Sequence, residues 1–360
     1  MGIRNSLKIM SFKDILGQDR AKRILTNSLL RGAVSHAYLF SGPEGVGKRL
    51  TAFTFAKALN CSPLETHGDK SPLETHRDKS PLETHRDKPN REGDSCDRCL
   101  SCKKIHALNH PDLNFIEPDD ESIKIEAVRK LQSRISLKPY EGKKKVVIIA
   151  GAECMTDEAV NAFLKTLEEP PGETVIMLIT ANQHSLLPTV VSRCQIIKFN
   201  ALAGDHIKEI LIKDYRFNER DASILSSISK GRLGRAVTMD YKAVCKERDE
   251  ALKLIISSAK GDMEYIFTDS KRLAKKEDLP DFLDIVADLL RDAAAMRGAD
   301  TDDCIINKDM KEKLREFSDG LHLPFIINMF DAVQKTKFLL KRNANQQLSI
   351  ETMMLGMGGD

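Results

Sequence analysis

Apolar residues along the first 200 positions alternate between two spacings. Asp19 to Leu30 carries Ile24, Leu25, Leu29 and Leu30 near one face and stops at Gly32, which predicts an amphipathic helix. Ala37 to Ser41 (AYLFS) is a short apolar run, hence a strand. Leu50, Phe53, Ala56 and Leu59 then return to helical spacing. The exchange repeats downstream. Asp112 to Ile116 (DLNFI) predicts a strand, Val128, Leu131 and Ile135 mark a helix, and Val146 to Ile149 (VVII) predict a buried strand. Thr156 is a good N-cap, with Asp157 and Glu158 in the positive first turn. Val160, Phe163, Leu164 and Leu167 follow on one face, and Pro170-Pro171 ends the helix. The runs VIMLIT (Val175 to Thr180) and QIIKF (Gln195 to Phe199) complete the alternation. Strands alternating with helices predict an α/β fold, a mainly parallel sheet covered on both faces.

Beyond Asn200 the pattern is helix after helix. Ile285, Val286, Leu289 and Leu290 form one stripe, and Phe325, Ile326, Met329, Phe330 and Val333 another. The expected organisation is an α/β domain over 1–200, a small helical domain over 201–245 and a larger all-α bundle over 246–360. Residues 62–88 interrupt the first domain with three nonamers, SPLETHGDK, SPLETHRDK and SPLETHRDK. Nine residues is far below the period of solenoid repeats, and each copy is charged and poor in apolar residues. A disordered, solvated insertion is expected, with His67, His76 and His85 recurring only because the repeat does.

Composition narrows the function. The chain has 360 residues, 30% charged and 41% hydrophobic, with a formal net charge of +3. So small a charge speaks against autonomous nucleic-acid binding. No apolar run approaches the ~20 residues of a membrane span, and the N-terminus lacks the apolar core of a signal peptide. Eight cysteines, three of them in one short cluster, fit a metal site in a reducing compartment better than a disulfide framework. The expected location is cytoplasmic, with no membrane partner.

Two motifs carry chemistry. Gly42 to Lys48 reads G-P-E-G-V-G-K between a strand and a helix, the setting of a phosphate-cradling loop with Gly42, Gly45, Gly47 and Lys48 as its working residues. The Ser or Thr that would hold magnesium is Arg49. The strand VVII, where acidic metal-site residues would follow, ends in Ala150 and Gly151. Two metal contacts are thus missing from one site, so ATP or ADP binding without hydrolysis is expected and magnesium is not. The second motif is C-x2-C-x2-C at Cys96, Cys99 and Cys102, which can converge on a structural Zn²⁺. Cys61 is the natural fourth ligand, with His106 or His110 as alternatives. The nonamers lengthen the loop between Cys61 and Cys96, but that costs only ~1.4 kcal/mol in closure entropy, against about 10 kcal/mol or more from structural zinc. Cys154, Cys194, Cys245 and Cys304 are expected to be buried small residues, and His36 a packed histidine.

Taken together, HAYLFSGPEGVGK, the cysteine knuckle, NAFLKTLEEPP (Asn161 to Pro171) and LLPTVVSRCQ (Leu186 to Gln195) resemble the bacterial clamp-loader AAA+ family of DNA polymerase III. The resemblance covers nearly all of residues 12–240 and thins in the C-terminal bundle, where NANQQLSIE (Asn343 to Glu351) is the main echo. It implies a P-loop NTPase-like domain with a zinc knuckle, a helical lid and an all-α C-terminal collar, in a five-subunit ring. The implied partners are the gamma/tau and delta subunits and, through the complex, the sliding clamp and primer-template DNA. In such rings the S-R-C motif, here Ser192, Arg193 and Cys194, sends an arginine into the neighbouring subunit's ATP site, where a guanidinium offsets charge developing on the γ-phosphate. Asn182 and Arg235 match positions that sense nucleotide. Active gamma/tau subunits keep the loop Thr and the acidic residues that this chain lacks. The resemblance therefore implies a ring member that is non-catalytic by itself, within the DNA polymerase III holoenzyme, a DNA-directed nucleotidyltransferase. The alternatives are an active gamma/tau-like ATPase and a zinc-dependent nucleic-acid-binding module.

Overall fold

The computed structural model describes residues 11–62, 93–119, 121–276, 278–298 and 305–358. All but the first residue of the nonamer insertion 62–88, and Cys304, lie outside them. The chain divides into two compact units, Met1–Leu202 and Ala203–Asp360.

In the first unit five strands form one parallel sheet: β1 (Ala37–Ser41), β2 (Leu113–Ile116), β3 (Lys145–Ala150), β4 (Thr174–Thr180) and β5 (Gln195–Lys198), in the spatial order β2-β3-β4-β1-β5. Among the described residues six α-helices accompany them: α1 (Asp19–Leu30), α2 (Lys48–Asn60), α3 (Leu100–His106), α4 (Ile125–Ile135), α5 (Asp157–Glu168) and α6 (Pro188–Val191). The near-continuous apolar strands are explained by burial on both faces. Tyr38, Phe40, Val146, Ile148, Val175, Met177 and Ile179 pack with Leu25 of α1, Phe53 and Phe55 of α2 and Ile105 of α3. The alternate residues Ala37, Leu39, Val147, Ile149, Ile176 and Leu178 pack with Val128 and Leu131 of α4, Phe163 and Leu167 of α5 and Val190 of α6. The expected α/β sheet is therefore present, wound on both faces.

Parallel pairing brings the C-terminal ends of β1, β4 and β3 to one sheet edge, where open α/β sheets bind ligands. The loop after β1 leaves from that edge. Gly42 is required there by close approach: a Cβ on it would lie 2.2 Å from the Phe199 carbonyl oxygen. Gly45 and Gly47 take φ of +75° and +97°, which side chains with a Cβ rarely adopt. Thr156 caps α5 as expected, its Oγ1 accepting from the Ala159 amide at 3.3 Å.

The elements among the described residues of the second unit are all helices: α7 (Gly204–Lys213), α8 (Glu219–Ile228), α9 (Leu233–Thr238), α10 (Tyr241–Ala259), α11 (Met263–Leu273), α12 (Leu279–Gly298), α13 (Lys311–Ser318), α14 (Leu323–Leu340) and α15 (Gln346–Gly356). Val286, Leu289 and Leu290 of α12 and Ile326, Met329 and Val333 of α14 lie in one core with Leu252, Ile255, Leu314, Ile350 and Met353. Phe325 and Phe330 pack at its margin. Helix α10 runs unbroken through residues 245 and 246. No helix among the described residues is long and apolar enough to cross a membrane.

Candidate functional site

Three groups of side chains make up the candidate site in the first unit. The first is the loop itself. Lys48 is almost wholly buried, and its ammonium turns back on the loop, donating to the carbonyl of Gly42 and to that of Pro43 at 2.6 Å. Burial pulls its pKa below the ordinary lysine value, while the nearby carboxylates of Glu44 and Glu153 act in the opposite direction. A phosphate can take this ammonium only by drawing it off both carbonyls.

Arg49 points elsewhere. Its guanidinium carbon lies 4.3 Å from the ring centre of Phe115 and 6.0 Å from that of Phe53, and Nη1 pairs with Glu117 Oε2 at 3.1 Å. A cation between aromatic faces with a carboxylate at its tip is held by ring quadrupole and charge together. Where a hydroxyl would face a metal, the chain has thus placed a fixed cation leaning on β2.

The edge beside β3 carries no replacement ligand at Ala150 or Gly151. Gly151 turns the chain at φ +65° into a short 3-10 turn, Ala152–Cys154. Glu153 in that turn accepts from the Ala181 amide through Oε1 at 2.9 Å, and its Oε2 is buried without a partner. Asn182, just past β4, spends its Oδ1 on the His184 amide at 3.0 Å, capping the turn Gln183–Ser185. Arg235 lies in the second unit on α9, with Nη2 3.9 Å from Asp281. It also lines a cavity with Ile228, Val244 and Glu247.

The second group surrounds Arg193, which follows α6 on the surface. Nε donates to Glu168 Oε1 at 2.7 Å, Nη2 contacts the same oxygen, and Nη1 donates to the Thr189 carbonyl at 2.8 Å. About a third of the arginine side chain and nearly half of the glutamate remain exposed. Cys194 is half-buried, with burial pushing its thiol up to about 12.

The third group is the cysteine knuckle. The sulfurs of Cys61, Cys96, Cys99 and Cys102 all lie within 4.8 Å of one another. Cys61 is delivered by the C-terminal end of α2, and the others by the turn into α3, which Cys99 caps. Backbone amides point at the sulfurs: Cys96 N–H to Cys61 Sγ at 3.3 Å, Cys99 N–H to Cys96 Sγ at 3.3 Å and Cys102 N–H to Cys99 Sγ at 3.4 Å. The bond to Cys61 and burial push the Cys102 thiol well up, and burial does the same for Cys99. Burial also opposes ionisation of Cys96, yet the Arg98 and Cys99 amides bring it down to about 7. Four soft donors at this separation, with N–H groups supporting them, suit a tetrahedral Zn²⁺ at about 2.3 Å per sulfur. The donor set fits a metal such as zinc.

Neither alternative histidine joins the cluster. His106 is exposed at the end of α3. His110 is buried 3.1 Å from Ser101 Oγ, with Nδ1 accepting from the Asp112 amide at 3.1 Å, so Nε2 carries the proton. Two further expectations need correction. His36 is exposed, with its carbonyl accepting from the Ile176 amide. Cys154, Cys194 and Cys245 are half-buried rather than enclosed. Sequence reasoning missed Glu168, Glu117 and Glu153. Only Glu168 left a signal, an acidic residue at a helix C-terminus, where the dipole asks for a cation.

The sheet and its phosphate loop define a P-loop-type α/β domain, and the knuckle adds a cysteine cluster to it. Residues 17–78 and 82–203 match the family described as "DNA polymerase III, delta subunit", and residues 246–358 match "DNA polymerase III, delta subunit, C terminal". The chain belongs to the DNA polymerase III delta-subunit family. It is 29% identical over 343 residues to DNA polymerase III subunit delta' of Bacillus subtilis, covering 94% of this chain and 95% of that one. It is also 28% identical over 374 residues to DNA polymerase III subunit tau of the same organism, covering 96% of this chain but 61% of that one. Among solved structures it is similar to a DNA polymerase III gamma subunit-related protein of Thermotoga maritima (TM-score 0.37, 18% identity, 92% of this chain and 96% of that one).

Proposed function

We propose that the chain is a delta-prime-type subunit of the bacterial DNA polymerase III clamp loader. It lends Arg193 to a neighbouring gamma/tau subunit's ATP site and helps to place the sliding clamp on primed DNA. Its own loop does not hydrolyse ATP. In this reading residues 201–245 act as a lid and 246–360 as the collar through which the chain joins gamma/tau and delta. Arg235 and Asn182 then stand at nucleotide-sensing positions that no longer gate hydrolysis. The knuckle of Cys61, Cys96, Cys99 and Cys102 holds Zn²⁺ as a structural cross-link between α2 and α3.

One observation carries the reading: Arg49, pinned by Phe115 and Glu117, occupies the position of the magnesium-binding hydroxyl. With Ala150 and Gly151 after β3, neither first-sphere contact of a catalytic magnesium is available, and metal-assisted phosphoryl transfer has nothing to hold its ion. The surface position of Arg193 supports the donor role, since only an exposed guanidinium can reach another subunit.

The chemistry expected of Arg193 is electrostatic. Its planar fork would offset charge on the γ-phosphate as the bond to the β-phosphate opens, an effect of about 10³–10⁵ in rate where fingers of this kind act. The test is ATP turnover by the isolated chain and by a reconstituted complex. The isolated chain should stay at background with magnesium. Arg193→Ala should join the complex and slow hydrolysis at the one site it faces by about 10³–10⁵, so that total turnover falls by that site's share. Magnesium-dependent turnover by the isolated chain, abolished by Lys48→Ala, would establish an active gamma/tau-like ATPase instead.

A further inference from the structure

We propose that Glu168 is a holster for Arg193: it holds the guanidinium at rest on the subunit's own surface and competes for it with the neighbour's nucleoside triphosphate. This inference rests on the reading of Arg193 as an arginine donated in trans, and it adds a residue that governs when the arginine is free.

The geometry points to competition. Glu168 Oε1 accepts from Nε at 2.7 Å and also meets Nη2, so the edge of the guanidinium that would face a phosphate is already facing a carboxylate. Nη1 is held on the other side by the Thr189 carbonyl at 2.8 Å, which also accepts from Ser192 Oγ at 3.2 Å. The arginine therefore cannot serve both anions at once. Glu168 has its own reason to keep a cation. It is the last residue of α5 and is followed by Glu169, so two carboxylates sit at the negative end of a helix. Besides Lys165 in the last turn of α5, Arg193 is the cation that meets Glu168 there.

The strength of the contact suits a reversible device. Exposed ion pairs contribute only ~0.2–1 kcal/mol, and this pair remains about one-third and one-half exposed on its two sides. A buried pair would lock the arginine away. This one holds it in a single rotamer at little depth, and a triphosphate, with several charges and bidentate oxygens, can take it. A resting state that must be undone before binding lowers apparent affinity by the fraction of free arginine. The signature is therefore a higher half-saturating ATP concentration for the complex, with no penalty on the rate once ATP has displaced Glu168.

The experiment measures ATP turnover by the reconstituted complex carrying wild-type chain, Glu168→Gln, Glu168→Asp or Arg193→Ala. Gln keeps the shape and removes the charge, which at a helix C-terminus does not threaten folding; thermal melting of each isolated chain checks this. Glu168→Gln should lower the half-saturating ATP concentration about two- to fivefold with kcat unchanged. Glu168→Asp, which retains the charge, should stay nearer the wild type. A packing role alone would shift the melting temperature and leave the half-saturating concentration in place. If Arg193→Ala slows turnover while Glu168→Gln leaves half-saturation unchanged or raises it, the holster is wrong and the finger stands. If Arg193→Ala has no effect, the finger reading fails and the holster with it.

Discussion

The Asp112 carboxylate accepts from the backbone amide of Gly142 at 2.7 Å, and a Cβ at position 142 would lie 3.1 Å from that same Oδ2 and 2.7 Å from Asn60 Oδ1. The Tyr140 and Glu141 amides complete the nest at 2.7 and 2.9 Å, so one buried side chain takes three donors of the loop into β3. Asn60, one residue before Cys61, accepts from the Lys144 amide at 2.9 Å and ties the same loop to the end of α2. The strand bearing Ala150 and the helix delivering Cys61 are thus fixed to one another through this loop.

Replacing Asp112 by Asn should therefore destabilise the first unit by about 2–3 kcal/mol, because an amide group turned toward three donors leaves at least one of them unpaired in the interior. Gly142→Ala should also destabilise it, unless Asn60 moves. The pH dependence has a definite sign. Burial raises the Asp112 pKa, but the three amides outweigh it and hold the carboxyl below its ordinary range. Its contribution is full above the unfolded value near 4 and is lost as pH falls through the folded value. His110, whose pKa is lowered chiefly by burial, adds an earlier decline: below about pH 6.5 the unfolded chain takes up a proton that the folded one refuses. Urea melts from pH 7 down to about pH 2 should show both limbs in the wild type, the aspartate limb below about pH 4, and only the histidine limb in Asp112→Asn.

The knuckle makes a separate prediction. The chain should carry about one equivalent of zinc, measured by atomic emission after gel filtration. Cys61→Ser should lose most of it and lower the melting temperature, since a structural site contributes on the order of 10 kcal/mol to the fold that closes it. Deleting residues 62–88 should leave zinc content and assembly intact, because a shorter loop between Cys61 and Cys96 is easier to close, not harder. Zinc loss on that deletion would mean that the repeats help to build the site.

What was legible in the chain follows how far apart the interacting residues lie. Apolar runs such as Val146 to Ile149 announce strands buried on both faces, and Gly42 to Lys48 announces its loop, because strand, turn and helix are consecutive. The cysteine spacing announces three sulfurs, and the fourth is reached only by allowing a long loop. Contacts made by the folding of the sheet were hidden. Phe115 stands 66 positions after Arg49, and Glu168 stands 25 before Arg193, and nothing in local spacing pairs them. The self-engagement of Lys48 is local but depends on the carbonyl directions of a loop with three positive-φ glycines. Cys154, Cys194 and Cys245 show the limit of residue type as a guide: the thiol suits an interior, yet each stands where a turn or helix edge meets solvent.

Restoring the missing hydroxyl provides the last prediction. Arg49→Thr returns the loop to the sequence of a magnesium-binding cradle, and if the hydroxyl alone were lacking, hydrolysis by the isolated chain should reappear. The structure argues that it will not. Beside β3 the edge still ends in Ala150 and Gly151, and the carboxylate in that turn, Glu153, is tied through Oε1 to the Ala181 amide, with only its buried Oε2 left over. Lys48 also remains closed on the Gly42 and Pro43 carbonyls. The substitution does remove the guanidinium from Phe115 and strands Glu117 without its cation, which should lower stability by about 0.5–2 kcal/mol. The expected result is a chain that melts a few degrees lower, with turnover still at background. Magnesium-dependent turnover above background in Arg49→Thr would show that one hydroxyl suffices, and that Ala150 and Gly151 are not what keeps the loop from hydrolysing ATP.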